Sequence, residues 1–311
     1  MVKVSIVVPV YNVEPYVERC ITSLKRQTLH EIEIIVVNDC TPDKSMDIVW
    51  KLQNDDDRIK IFEHENNLGL MRARQTGYKA AIGDFITFCD SDDYLPENAI
   101  EILYNEAIKT DADIVSGNML YIKSNGTSVT WSSTLNYGQD RHATIKSLLL
   151  HELRHNLCSK LFKASLLHNY DYQTYDHFTN GEDACLFYQV VNNMCSICQI
   201  DKIVYNYCQN LTSSSQRRYD DKAIKSICIV NKTRNNIVSQ FPELKLELRK
   251  YISNIVCDLY AAGYDNDTKL TLYLNECGLE HYTSIKNLII YSSFCNVIKF
   301  FIKRYIIPNK R

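Results

Sequence analysis

Phe85-Ile-Thr-Phe-Cys-Asp-Ser-Asp-Asp-Tyr-Leu-Pro96 runs from apolar residues into a cluster of acids without a spacer. β-Branched and aromatic residues from Phe85 to Cys89 predict a short buried strand that stops at a polar turn. Asp90, Asp92 and Asp93 then lie at the strand's carboxyl end, the edge where open α/β sheets bind ligands. Carboxylates this close repel one another unless a cation or backbone amides offset the charge. Mg²⁺ or Mn²⁺, shared between one or two carboxylates and a substrate's phosphates, is one such partner. The other reading is an acidic surface turn that caps a helix starting near Pro96, and Asp-x-Asp alone does not choose between them.

The residues upstream supply the context. Residues 4–8 form an apolar strand ended by Pro9, Tyr11 and Asn12, and 14–27 carry a helical stripe at Tyr16, Val17, Cys20, Ile21 and Leu24. A second buried strand, 32–37, ends at Asn38 and Asp39. Helix 44–54, strand 59–62 and helix 70–82 follow, with Gly83 closing the last before the Phe85 strand. The order β-α-β-α-β-α-β predicts parallel pairing and a nucleotide-binding α/β half. No Gly-x-Gly-x-x-Gly follows the first strand and no Gly-x-x-x-x-Gly-Lys-Ser/Thr occurs, so a dinucleotide fingerprint and a P-loop are both excluded. A pyrophosphate here must be held by metal and side chains.

Downstream, helix 97–109 is expected, then strands 113–122 and 128–131, helix 144–152, and a strand over 155–162 crossing back to the sheet. Gly181-Glu182-Asp183 is a second acidic signal, with both carboxylates in the first turn of a helix, where the dipole favours negative charge. A plain capped helix explains that pattern equally well. Helices are expected at 219–241, 243–262 and 269–276. Residues 282–311 contain no acid, several Lys and Arg, and an uncharged run over 287–298 that is shorter than the roughly 20 residues a bilayer needs. Such a tail suits either an anionic membrane surface or burial in a helical subdomain or homodimer.

Hydrophobics at 45% and charged residues at 23% place the 311-residue chain among ordinary globular proteins, with room for about two domains. A net charge of -2 argues against nucleic acid as a partner. The first residues lack a signal peptide's apolar core and cleavage site, so a cytoplasmic location is expected, on the inner face of a membrane if the tail makes contact. The 12 cysteines are scattered through apolar runs, which fits reduced, packed thiols; Cys195-x-x-Cys198 has no second pair at metal-site spacing.

Five segments taken together resemble the family 2 inverting glycosyltransferases of the GT-A fold. They are Val4-Ser-Ile-Val-Val-Pro-Val-Tyr-Asn12, Ile34-Ile-Val-Val-Asn-Asp39, Asn67-Leu-Gly-Leu-Met-Arg-Ala-Arg-Gln-Thr-Gly77, Asp90-Ser-Asp-Asp93 and Gly181-Glu-Asp183. The resemblance implies a Rossmann-like, mostly parallel sheet flanked by helices, with a catalytic domain over 1–215 and a helical extension over 216–311. It implies a nucleotide-sugar donor, a UDP-sugar above others, and a hydroxyl on a glycan or lipid-linked acceptor, as in bacterial surface-glycan assembly. By position, Pro9, Tyr11 and Asp39 match the base-binding strand tips, and Arg74 matches an arginine near the base or pyrophosphate. Asp90 falls near the ribose, Asp92 is the ligand of Mg²⁺ or Mn²⁺, and Asp183 is the base. Lys160 resembles a lysine near the donor-acceptor pocket, although an exposed strand lysine is the more ordinary explanation. Cys40, Gln75 and Asn38 depart from the family pattern, which loosens the choice of nucleobase. A nucleotidyltransferase is disfavoured because Pro9-Val-Tyr-Asn12 has neither glycine nor lysine. A non-catalytic relative that binds nucleotide sugars is the remaining rival.

Overall fold

In a computed structural model of the chain, residues 1–133, 138–210 and 220–259 are described, together with 274, 275 and 278. The first half follows the alternation expected from the sequence. Strands β1 (Val4–Val10), β2 (Ile32–Asn38), β3 (Ile59–Glu63) and β4 (Phe85–Phe88) alternate with helices α1 (Val17–Lys25), α2 (Ser45–Gln53) and α3 (Leu70–Ala80). β1 pairs in parallel with β2 and β4, and β2 with β3. Every residue of β1 is buried, which is why its sequence is an unbroken apolar run and not an alternating one. Gly77 lets α3 lie close against β1: a methyl group there would collide with the Val7 side chain.

The second half departs from that regularity. After α4 (Ala99–Thr110), strand β5 (Ile114–Ile122) pairs antiparallel with β6 (Ser128–Trp131). Helix α5 (Arg141–Leu149) leads to β7 (Lys160–Lys163), which lies antiparallel between β4 and β5. Then come α6 (Ala164–His168), α7 (Glu182–Val191) and β8 (Ile197–Cys208), the last parallel to β5. The strand order is β3-β2-β1-β4-β7-β5-β6, with β8 also on β5. The fold is the expected α/β type with a mixed, mostly parallel sheet.

Three local expectations are corrected. The strand expected over 155–162 begins only at Lys160, because Ser159 adopts a positive φ of 63° that breaks extended backbone. Strand β8 was not expected: its middle, Gln199 to Lys202, is polar, and the pairing with β5 is irregular there. Lys160, for which exposure was the ordinary explanation, is 1% exposed.

Beyond residues 211–219, which lie outside the described residues and contain the expected domain boundary, α8 (Asp221–Val238) packs on α7. α9 (Lys245–Leu259) packs on α5 and α8. Their buried residues, among them Ile224, Val238, Leu248 and Ile252, belong to the same hydrophobic cluster as the sheet. The helix expected over 269–276 falls mostly outside the described residues, and the basic tail 282–311 falls there entirely. No helix among the described residues is long and apolar enough to cross a membrane.

Candidate functional site

The carboxyl ends of β1, β2 and β4 bring the expected donor-side residues to one edge of the sheet. Pro9 is buried near the end of β1, and Tyr11 just beyond it is 47% exposed. Asp39, at the tip of β2, is turned inward and is 2% exposed. Its carboxylate accepts the Leu68 and Gly69 amides, both at 2.8 Å, and pairs with His64 Nδ1 at 2.7 Å. His64 Nε2 in turn meets Thr76 Oγ1 at 2.8 Å. Asp39 thereby fixes the loop that starts α3, the helix carrying Arg74.

The three carboxylates after β4 have three different settings. Asp93 is 1% exposed and accepts Tyr205 Oη at 2.8 Å and the Cys208 amide at 2.7 Å, both from β8. Burial, then Asp92 and Asp90, hold its carboxyl well above the usual range. Asp90 is half-buried; its Oδ1 accepts Arg74 Nη2 at 2.7 Å and its Oδ2 accepts the Cys158 thiol at 3.4 Å. Among the described residues Asp92 has one long side-chain contact, from Asn210 Nδ2 at 3.4 Å, while its carbonyl accepts Arg19 Nη2 at 2.6 Å. Burial and the charge of Asp90 push its carboxyl up. Its side chain is short of positive charge, the condition a divalent cation relieves.

The second acidic signal meets the first through Arg74. Gly181, with a φ of 86° that favours glycine, turns the chain into α7 and leaves Glu182 and Asp183 in its first turn. Arg74 is 2% exposed, and its Nη1 donates to Asp183 Oδ1 at 2.5 Å while Nη2 serves Asp90. Asp183 Oδ2 also accepts the Leu157 amide at 3.3 Å. Burial raises the Asp183 carboxyl, Arg74 opposes that rise, and Asp90 adds to it. Glu182, 3.9 Å from Arg74 Nη1, is pushed up to about 7, by burial first and by Asp183 second. Carboxylates from two distant parts of the chain therefore share one buried guanidinium. Both remain partly accessible, with side chains 27% exposed at Asp90 and 20% at Asp183.

Lys160, at the start of β7, sits behind this pair. Its Nζ donates to the Asn156 carbonyl at 2.7 Å and to Asn156 Oδ1 at 3.1 Å, and lies 5.1 Å from the centre of the Phe187 ring. Burial brings the amine down to about 7, against the pull of Asp183.

Loops 171–180 and 136–142 lie differently with respect to these acids. Loop 171–180 is on the site's side: Thr174 and Asp176 bond Arg72 of α3, and the His177 amide donates to the Leu68 carbonyl. The described part of loop 136–142 is at the opposite end of α7, about 15 Å away along the helix, where Arg141 and His142 line a cleft of about 530 Å³. Tyr205, Cys158 and Asn210 escaped the sequence reading, and Glu182, quoted there as an acid of the helix's first turn, was given no role. The first three reach the acids only through long-range packing, which no local pattern encodes, whereas Glu182 stands beside a residue already singled out.

The chain was compared with known proteins. The family model described as Glycosyl transferase family 2 matches residues 5–170. The uncharacterized glycosyltransferase EpsJ of Bacillus subtilis (strain 168) is 52% identical over 112 residues, 36% of this chain and 32% of that protein. The GalNAc(5)-diNAcBac-PP-undecaprenol beta-1,3-glucosyltransferase of Campylobacter jejuni is 34% identical over 170 residues, 54% of each. The matches thus span about a third and about half of those relatives' lengths. Among solved structures, residues 1–349 of TarS from S. aureus in complex with UDP-GlcNAc superpose with a TM-score of 0.65 at 22% identity, covering 97% of this chain and 91% of that one. That likeness establishes the GT-A fold. The family match covers more than half of the 311 residues, and the chain belongs to glycosyl transferase family 2.

Proposed function

We propose that this protein transfers a sugar, with inversion, from a nucleotide-diphosphate sugar to a hydroxyl of a glycan or lipid-linked acceptor. A UDP-sugar is the donor we favour, on the family resemblance and on the UDP-GlcNAc held by the TarS structure. The observation that carries the reading is the Arg74 bridge, which sets Asp90 and Asp183 on either side of one guanidinium.

The chemistry follows from that arrangement. Asp183, with a side chain 20% exposed and a carboxyl raised by burial, is suited to accept the proton of an attacking hydroxyl. Arg74 keeps it oriented and opposes the rise. Attack from the face opposite the leaving diphosphate inverts the anomeric carbon. Arg74 adds positive charge where the diphosphate's negative charge grows.

Asp92, with Asp90 beside it, presents hard oxygen donors short of positive charge, and these fit Mg²⁺ or Mn²⁺. Among the described residues no three His, Cys, Asp or Glu side chains gather as a complete cage. That suits an ion whose remaining ligands are phosphate oxygens and water. When bound, the ion would supply Lewis-acid stabilisation to the leaving diphosphate.

Incubation of the purified protein with a panel of nucleotide sugars and Mn²⁺ tests the proposal. Release of free nucleoside diphosphate supports it; release of pyrophosphate, or of nothing under any donor, rejects it.

A further inference from the structure

Loop 151–160, between α5 and β7, reads His-Glu-Leu-Arg-His-Asn-Leu-Cys-Ser-Lys. Leu157 gives its amide to Asp183, so His155 lies at most about 7 Å of chain from the residue that touches the base. Around that point the loop gathers basic side chains. The Arg154 guanidinium lies 4.1 Å over the Trp131 ring. His151 stacks on Tyr251 at 4.8 Å, and Arg234 of α8 lies 4.5 Å over the same ring and 4.9 Å over Tyr188 of α7.

What this cluster lacks is an ion pair: the loop's own acid, Glu152, is exposed and accepts the Ser147 hydroxyl at 3.0 Å. Elsewhere cations have carboxylate partners, as Lys3 has Glu31, Arg58 has Asp56, Arg72 has Asp176 and Lys163 has Asp111. Among the described residues, His151, Arg154, His155 and Arg234 form no ion pair. Arg234 is 4% exposed, donates Nη1 to Asn231, and keeps a buried Nε with no partner. Burial, then Arg234, Lys160, His151 and Arg154, push the His155 imidazole down to about 3. The same burial and the charges of Arg234 and Arg154 lower His151. The acids facing this side are Asp183 and Glu182, and both are already drawn to Arg74. The buried Arg234 guanidinium, held between Tyr188 and Tyr251 without a counter-charge, is costly, and an anion would relieve it.

We propose that loop 151–160 and Arg234 form a phosphate subsite for the acceptor. The attacking sugar then carries a phosphate ester or diphosphate close to its reacting hydroxyl. Guanidinium groups suit this task because they meet phosphate oxygens in a bidentate fork. The inference rests on the assignment of Asp183 to the acceptor side of a transferase site. Two sources offer the same chemistry, the diphosphate of an isoprenoid-linked sugar and the phosphodiester of a polyol-phosphate polymer.

The test uses the full chain with metal removed by EDTA and inorganic pyrophosphate as the probe, titrated by calorimetry. The expected result is binding that Arg154→Ala weakens about tenfold. Because substitution of buried Arg234 risks the fold, a second measurement uses the wild type. The His155 imidazole, followed by NMR, should rise on saturation from about 3 towards the ordinary value of about 6.5. Competition with a short isoprenyl diphosphate and with a glycerol-phosphodiester oligomer then identifies the source; displacement by either supports the subsite. The proposal is overturned by no binding up to about 10 mM, by binding that Arg154→Ala does not alter, or by an unmoved His155. Slow hydrolysis of a nucleotide sugar by the same preparation separates the two claims. Hydrolysis without pyrophosphate binding rejects the subsite alone, and binding without any donor turnover rejects the transferase reading.

Discussion

The acidic turn behind β4 and the acidic start of α7 use the same side-chain type in opposite settings. Behind β4 the three carboxylates divide the work: Asp93 is anchored by β8, Asp90 is paired with Arg74, and Asp92 is left short of positive charge. At α7 two neighbouring carboxylates compete for one cation, and both are raised, Glu182 to about 7. The first arrangement suits binding a cation that stays in place; the second suits taking up a proton near neutral pH. Arg74 couples them, so a change at one turn is felt at the other.

The largest expected effect breaks the α7 side. Asp183→Asn should lower the rate of transfer by at least about a hundredfold while donor affinity, measured by calorimetry, stays unchanged. Full activity of this variant would remove Asp183 from the role of base.

Next comes the bridge. Arg74→Met leaves two carboxylates facing each other in a buried site and should cost about 3 kcal/mol in denaturant unfolding. Burial already raises the Asp183 carboxyl in the folded state, and loss of Arg74 raises it further. A raised carboxyl contributes stability that is present below its unfolded pKa and lost as pH rises through the folded one. The deficit of the variant should therefore grow between about pH 4 and pH 8. A deficit that shrinks over that range would show that Arg74 is not their counter-charge.

On the β4 side, Asp92→Ala should weaken donor binding about tenfold in Mn²⁺, and EDTA should do the same to the wild type. Equal affinity in all three conditions would count against a cation there. The smallest effect belongs to Glu182→Gln. Removing the like charge beside Asp183 should move the acidic limb of the pH-rate profile to lower pH by about one unit or less, the limb being a property of the pair. A limb that stays in place means that Glu182 does not couple to the base.

The same two turns show how far the sequence could be read. The β4 turn was legible because a parallel strand buried on both faces is an unbroken apolar run, and the acids begin where it ends. β1 and β2 were legible for the same reason, and β3, with only Ile59 buried, by its place in the alternation. At α7, Glu182 and Asp183 looked like ordinary first-turn acids, and only the resemblance distinguished them. The antiparallel half was harder. β8 carries polar residues through its middle because its pairing is irregular there, yet it supplies the tyrosine and the amide that hold Asp93. Lys160 reads as a surface lysine in a short strand, and its burial depends on Asn156 folding back to receive the amine. These contacts join residues far apart in the chain, and no period or spacing announces them.

A structure of the protein with Mn²⁺ and the nucleoside diphosphate released in the donor assay tests the central claim most directly. The account predicts the diphosphate beside Asp92, with Arg74 between Asp90 and Asp183 and a Asp183 oxygen facing the space the sugar would fill. A nucleotide bound on another edge of the sheet, with Asp183 shielded from it, would contradict the account.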